Sequence, residues 1–168
     1  ENYDLRKKSW IKAGGIIKIF ITPDTEEKII NLVKHLKNQK IKFYMLGNIS
    51  NVLIRDGDIL TPIINLNKLS GIKNTHNDNQ YFSVQAGTSI TRFAIYLTKK
   101  NISGVQGLVG IPGSLGGGIY MNASSYNSCI SDYLTNITTI NEKGNLEIIK
   151  KEDANFHWRY SIFHKTKK

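Results

Sequence analysis

Apolar residues recur along the chain with two different periods, and turn-forming residues cut the sequence into segments of one or the other. Ile16 to Ile21 is β-branched and apolar-rich, follows Gly14-Gly15 and stops at Thr22-Pro23, so it predicts a strand. From Asp24 the spacing becomes helical: Ile29, Leu32, Val33 and Leu36 share one face of a helix reaching about Asn38. Asp24 is the expected N-cap, with Glu27 reaching back to it. Phe43 to Leu46 predicts a second strand, broken by a loop over Gly47 to Asn51 and resumed at Val52-Leu53-Ile54. Arg55-Asp56-Gly57-Asp58 supplies turn chemistry. Thr61 to Leu66 and Tyr81 to Ala86 predict further strands. Ser89 to Lys100 returns to the helical period with Ile90, Phe93, Ala94 and Leu97 inward, and its lysines fall where they complement the helix dipole. Ile137 to Ile140 and Leu146 to Ile149, joined through Asn141-Glu142-Lys143-Gly144, predict a hairpin.

Helices that follow strands early and strands that dominate late make an α+β protein. The polar, Asn-rich stretch over 67–79 marks a boundary between an N-terminal lobe, residues 1–70, and a second lobe, residues 71–168. A chain of 168 residues with 40% hydrophobic content can bury a real core. Its net charge of +10 favours anionic partners. The lysines are scattered through amphipathic segments, with no basic stripe interleaved with aromatics, so nucleic acid is not the expected partner. The excess of lysine, isoleucine and asparagine reads more as compositional bias than as function. A single cysteine, Cys129, excludes an intramolecular disulfide and fits a reducing, cytoplasmic setting. The apolar runs are too short for a membrane span, and the N-terminus does not read as a signal peptide. His35, His76, His157 and His164 lack metal-ligand spacing, so no metal is expected.

Two loops carry the candidate chemistry. Gly110-Ile111-Pro112-Gly113-Ser114-Leu115-Gly116-Gly117-Gly118 holds five of the fourteen glycines, at a cost in chain entropy. Such a loop either lays unobstructed backbone against a flat or anionic ligand, or serves tight turns and close packing; spacing alone weighs these equally. Pro112 suits the first turn of a short helix, whose N-terminus offers donors to a phosphate. Leu46-Gly47-Asn48-Ile49-Ser50-Asn51-Val52-Leu53 is a polar loop between apolar segments whose successive amides are able to form an anion nest. Neither segment has the spacing of a mononucleotide-binding loop or of the βαβ dinucleotide fingerprint.

Taken in order, Ser9-Trp10 with Gly14-Gly15, Leu46-Gly47-x-x-Ser50-Asn51-x-Leu53, Gly110-Ile111-Pro112-Gly113-Ser114-Leu115-Gly116-Gly117, Met121-Asn122-Ala123 to Tyr126, and Trp158-Arg159-Tyr160-Ser161-Ile162-Phe163 resemble the UDP-N-acetylenolpyruvoylglucosamine reductase family. The resemblance spans nearly the whole chain. It implies the two-lobed FAD-binding domain of the vanillyl-alcohol-oxidase (PCMH) type, with FAD held non-covalently between lobes. It implies that Gly47, Asn48, Ile49, Ser50 and Asn51 wrap the FAD diphosphate. Gly110, Ile111, Pro112, Gly113, Ser114, Gly116 and Gly117 would line the diphosphate and flavin ring. Asn122 and Tyr126 would lie near flavin and substrate. Arg159 would pair with the carboxylate of a UDP-sugar substrate and stabilise charge developing on it, which suits a planar, permanently charged guanidinium. NADPH is the reductant the resemblance implies.

Several positions depart from the family pattern. Its second loop glycine is Ile49, a β-branched residue that resists positive φ. Its Asn-Ala-Gly-Ala-Tyr-Gly-Gly run is Asn122-Ala123-Ser124-Ser125-Tyr126-Asn127-Ser128, and the aromatic before Arg159 is Trp158. The family's proton-donating serine and its assisting glutamate belong to a substrate-binding domain beyond the Tyr-Arg-x-Ser segment. The expectation is therefore an FAD-binding domain incomplete for turnover without that domain or a partner subunit. The competing expectation is a degenerate relative that keeps the fold as a scaffold or partner-binding module.

Overall fold

The structure is a computed structural model that describes residues 2–75 and 81–165. Glu1, part of the expected boundary stretch including His76, and Thr166, Lys167 and Lys168 of the C-terminal tail lie outside the described residues. The first half forms β1 (Tyr3–Asp4), β2 (Ile16–Ile17), β3 (Phe20–Ile21), α1 (Glu26–Asn38), β4 (Tyr44–Leu46), β5 (Asp58–Ile59) and β6 (Ile63–Asn65). The second half forms β7 (Ile72–Asn74), β8 (Phe82–Val84), α2 (Ile90–Lys99), α3 (Leu115–Tyr120), β9 (Ser124–Ser125), β10 (Ser128–Cys129), β11 (Asn136–Ile140) and β12 (Leu146–Lys150), with short 3-10 turns between.

β6 is the central strand of a parallel sheet ordered β3-β6-β4, and all three of its residues are buried. Burial on both faces explains why Ile63-Ile64 reads as a run without alternation. The single strand expected over Ile16–Ile21 is two. Ile17 faces Ile59 and Phe20 faces Ile63, so Lys18 and Ile19 oppose three residues, Leu60, Thr61 and Pro62. Pro62 has no N–H to give the ladder, and the extra residue bulges the strand so that pairing resumes one position out of step. Val52–Ile54, expected as a strand, is not one. The place beside β2 is taken by β5, while Val52 and Ile54 pack as side chains against the Leu5–Ile17 cluster.

α1 begins one residue later than expected. Thr25 is the N-cap, accepting the Lys28 amide at 3.2 Å, whereas Asp24 takes the Lys28 ammonium at 2.7 Å. Its inward residues Ile29, Val33 and Leu36 meet Ile64 and Leu69. α2 is capped by Ser89 and buries Ile90, Phe93, Ala94 and Leu97, the expected face, against Val105, Leu108, Leu115 and Ile130. β7 was not foreseen; it pairs antiparallel with β8. The hairpin β11–β12 is present, and its turn reaches α1: a Cβ on Gly144 would lie 2.4 Å from Lys34 Cγ.

α3 starts at Leu115 after an N-cap at Ser114, so Pro112 is not in its first turn as expected. Part of the glycine run serves packing. A Cβ on Gly118 would lie 2.7 Å from Ile90 Cδ1 and 2.8 Å from Ile130 Cδ1, and Gly116 donates its amide to the Ala86 carbonyl at 2.8 Å. Gly118 seats α3 on α2 and Gly116 seats it on the segment before α2, while a Cβ on Gly113 would lie 3.5 Å from Ser50 Oγ and 3.6 Å from Ile90 Cδ1.

Candidate functional site

The two loops meet. Asn65, buried at the end of β6, donates its amide to the Gly47 carbonyl at 2.7 Å and to the Leu46 carbonyl at 3.4 Å, fixing where β4 gives way to the loop. Ser114 packs directly on Gly47, where a Cβ would lie 1.9 Å from Ser114 Oγ. Ser50 donates its hydroxyl to the Pro112 carbonyl, a second tie between the loops. Glycine is required at position 47 for this approach, because any side chain there would occupy the place of the serine.

Backbone donors collect at the junction. The N–H groups of Asn48, Ile49, Ser50 and Asn51, and those of Gly113, Ser114 and Gly117, form no hydrogen bond among the described residues. Ile49 and Ser114 are themselves buried. Buried backbone donors are almost always paired, so the free amides of Ile49 and Ser114 leave this junction able to take an acceptor from outside the chain. Ile49 adopts φ +54°, so the loop keeps a left-handed turn where a β-branched residue is strained. Its side chain is buried with Leu5, Ile17, Ile59 and Ile63, and its carbonyl accepts the Trp10 amide at 3.3 Å.

A cleft of about 230 Å³ opens beside the junction, lined by Asn48, Asn67, Ser70, Gly87, Ser89, Arg92, Gly113 and Ser114. A second, of about 140 Å³, is lined by Tyr3, Lys8, Phe20, Thr22, Asn48, Ile49, Asn65 and Asn67. They share Asn48 and Asn67, and no carboxylate lines either one among the described residues. Tyr3 and Phe20 stack face to face at 4.2 Å.

The remaining candidates lie at the other end of α3, which at six residues is about 9 Å long. Ser161 is fully buried and donates to the Tyr120 carbonyl at 2.7 Å. Asn122 donates its side-chain amide to the His157 carbonyl at 2.9 Å, and its Oδ1 accepts from the Cys129 thiol at 3.0 Å. It is buried and internally engaged, and it holds the turn that carries Trp158 and Arg159. Tyr126 and Trp158 are almost fully exposed, and Arg159 is exposed with no ion pair among the described residues. Asn122, Tyr126 and Arg159 all have positive φ, at +43°, +45° and +54°. With Ile49 they are four of the nine described non-glycine residues at positive φ, a region that asparagine tolerates and the other three adopt at a cost.

Gly110 is exposed with open space around it, and Ile111 is tied through its carbonyl to the Thr91 hydroxyl, so neither lines a cleft. Asn65, Asn67, Ser70, Ser89 and Arg92 were not foreseen. Asn65 had a signal, a polar amide closing a buried apolar strand; Arg92 had none, being one polar residue on the outer side of an amphipathic helix. Among the described residues no cluster of histidine, cysteine and carboxylate is able to hold a metal, and no helix is long and apolar enough to cross a membrane.

A family model described as "FAD binding domain" matches residues 17–150. UDP-N-acetylenolpyruvoylglucosamine reductase of Clostridium novyi is 33% identical over 98% of this chain and 53% of its own length. The reductase of the same name from Orientia tsutsugamushi is 36% identical over 96% of this chain and 54% of its own. The crystal structure of UDP-N-acetylenolpyruvylglucosamine reductase from Thermus caldophilus superimposes with a TM-score of 0.74 at 26% identity, covering 96% of this chain and 56% of that one. An alkyldihydroxyacetonephosphate synthase shares the fold, with a TM-score of 0.61 at 15% identity over 83% of this chain. The chain spans about half the length of the curated relatives it matches.

Proposed function

The chain belongs to the FAD binding domain family, and we propose that it holds FAD non-covalently, as the flavin-binding part of a UDP-N-acetylenolpyruvoylglucosamine reductase of bacterial cell-wall synthesis. The observation that carries this reading is the junction of Gly47–Asn51 with Gly113–Ser114, where seven amides lack partners among the described residues, three of them belonging to residues that line a cleft without a described carboxylate. The residues present fit the diphosphate of a dinucleotide: fixed N–H dipoles suit an anion without needing to reorganise. Asn48 to Asn51 and Gly113 to Gly117 hold that diphosphate in our reading, with residues 1–70 and 71–168 as lobes on either side.

FAD, when bound, supplies a carrier for hydride between a nicotinamide and a substrate. At the far end of α3, Arg159 is placed to take the carboxylate of an enolpyruvyl UDP-sugar. It has no ion-pair partner among the described residues, is exposed on a turn pinned by Asn122, and is permanently charged. Trp158, its neighbour in the chain, and the exposed Tyr126 are proposed to present aromatic faces to the same ligand. NADPH is the proposed reductant and the cytoplasm the proposed location. Because the matched reductases are about twice as long, reductase activity is proposed for a whole protein and not for these residues alone.

The test is the visible spectrum of the purified protein, followed by titration with FAD. Flavin absorbance bands, or saturable quenching of added FAD fluorescence, are expected. A colourless protein that takes up no FAD would overturn the reading in favour of a scaffold that keeps only the fold.

A further inference from the structure

The two clefts differ from an ordinary neutral anion nest in one respect: each carries one cation. Arg92 lines the larger and Lys8 the smaller, and the wall between them is formed by Asn48 and Asn67. Among the described residues neither cation has an ion-pair partner, while Arg6, Lys18 and Lys28 are paired with Asp4, Asp58 and Asp24. No carboxylate lines either cleft to compete with a ligand anion. Asn48 also belongs to the loop whose amides lack partners among the described residues, so a diphosphate seated on those amides would border both clefts.

We infer that Arg92 and Lys8 neutralise the two negative charges of the bound diphosphate from opposite sides of Asn48. The inference rests on the flavin reading and adds the charge that backbone dipoles alone do not supply. Arg92 is the third residue of α2, whose first turn is fixed by Ser89 accepting the Arg92 amide and by the Ile90 amide donating to the Gly113 carbonyl at 3.0 Å. The guanidinium is therefore mounted on the element that also positions Gly113, and a planar fork is suited to two phosphate oxygens at once. Lys8, held behind the Leu5 turn, acts as a point charge from the side of Tyr3 and Phe20.

The experiment compares FAD dissociation constants, read by flavin fluorescence at several salt concentrations, for the intact protein and for Arg92→Gln, Arg92→Lys, Lys8→Gln and Lys99→Gln. Lys99 ends α2, about 10 Å along its axis from Arg92, and removes the same charge from the same helix outside the clefts. The expected result is a rise in the dissociation constant of roughly three- to tenfold for Arg92→Gln and for Lys8→Gln, each with a weaker salt dependence. Arg92→Lys should recover part of the loss, and Lys99→Gln should match the intact protein. Arg92→Gln and Lys8→Gln that bind like the intact protein, or a Lys99→Gln that loses as much as they do, would overturn the inference while leaving flavin binding in place. An intact protein that takes up no FAD would remove both.

Discussion

Replacing Ile49 by the glycine its family carries should destabilise the protein, although it removes backbone strain. Ile49 stands at φ +54°, where a residue with a Cβ is held at a cost of about 1–2 kcal/mol. Glycine would relieve that cost. Yet the side chain is 5% exposed among Leu5, Ile17, Ile59 and Ile63, and truncating a buried isoleucine costs about 2–5 kcal/mol. Glycine further frees the unfolded chain, by roughly 0.5–1 kcal/mol. Packing outweighs strain, and Ile49→Gly should lower stability by about 1–4 kcal/mol. In a domain of this size the melting temperature should fall by roughly 2–4 °C for each kcal/mol. Ile49→Ala separates the two effects, because it loses the packing and keeps the strain. Urea denaturation followed by circular dichroism should therefore rank the intact protein above Ile49→Gly, and Ile49→Gly above Ile49→Ala by about 1 kcal/mol. A glycine variant as stable as the intact protein would refute the packing argument, and an alanine variant more stable than the glycine one would refute the strain.

Gly47→Ala should destabilise by about 1–3 kcal/mol, because its Cβ would fall 1.9 Å from Ser114 Oγ. Ser114 makes no side-chain capping bond, so adding Ser114→Ala should restore part of the loss, the serine Cβ still standing 3.0 Å away; strictly additive effects in the double-mutant cycle would show that the contact is not the cause. Asn122→Ala should cost about 1–3 kcal/mol by stranding the His157 carbonyl, and Asn122→Gly about 1 kcal/mol less because it tolerates φ +43°; equal midpoints for the two variants would argue against strain at this position. Asp24 is held below the usual carboxylate range by its hydrogen bond to Lys28, as Asp4 is by its bond to Arg6. Their folded-state values lie below the unfolded ones, so their contribution is present above the ordinary carboxylate pKa and lost as pH falls through the lowered one. The stability difference between the intact protein and Asp24→Asn should be constant from pH 9 to about pH 5 and vanish in stronger acid; a difference that persists there would rule the pair out as its source.

The helical faces were legible in the sequence because a 3.6-residue period with a cap residue is a local signal: Ile29 to Leu36 and Ile90 to Leu97 turn inward as expected. The hairpin of β11 and β12 was equally legible from its turn. The bulge at Pro62 and the absence of a strand at Val52–Ile54 were not, since strand pairing depends on contacts with distant segments that no local pattern displays. The meeting of Gly47 with Ser114 was legible only as two separate loops. The lining from Asn67, Ser70 and Arg92 was hidden, because no local pattern marks a polar residue that becomes a wall only when two lobes close on each other.

The departures from the family pattern look like decay in the sequence, and the backbone gives them another meaning. Three glycines of the family run correspond to Ser124, Asn127 and Ser128. Ser124 and Ser128 stand in β9 and β10, in an extended conformation that any residue adopts. Asn127 has φ +59°, but asparagine is among the few residues that visit the left-handed region readily. Ser128 even gains a bond, donating to the Gly104 carbonyl at 3.1 Å. None of the three changes therefore needs the backbone to move. Ile49 is the one replacement that carries real strain, and its side chain offsets that strain by filling the core beneath the loop. Packing outweighs that strain, so the core beneath the loop holds the left-handed turn in place. This chain keeps the turn, and with it the orientation of the amides on which the proposed flavin binding depends.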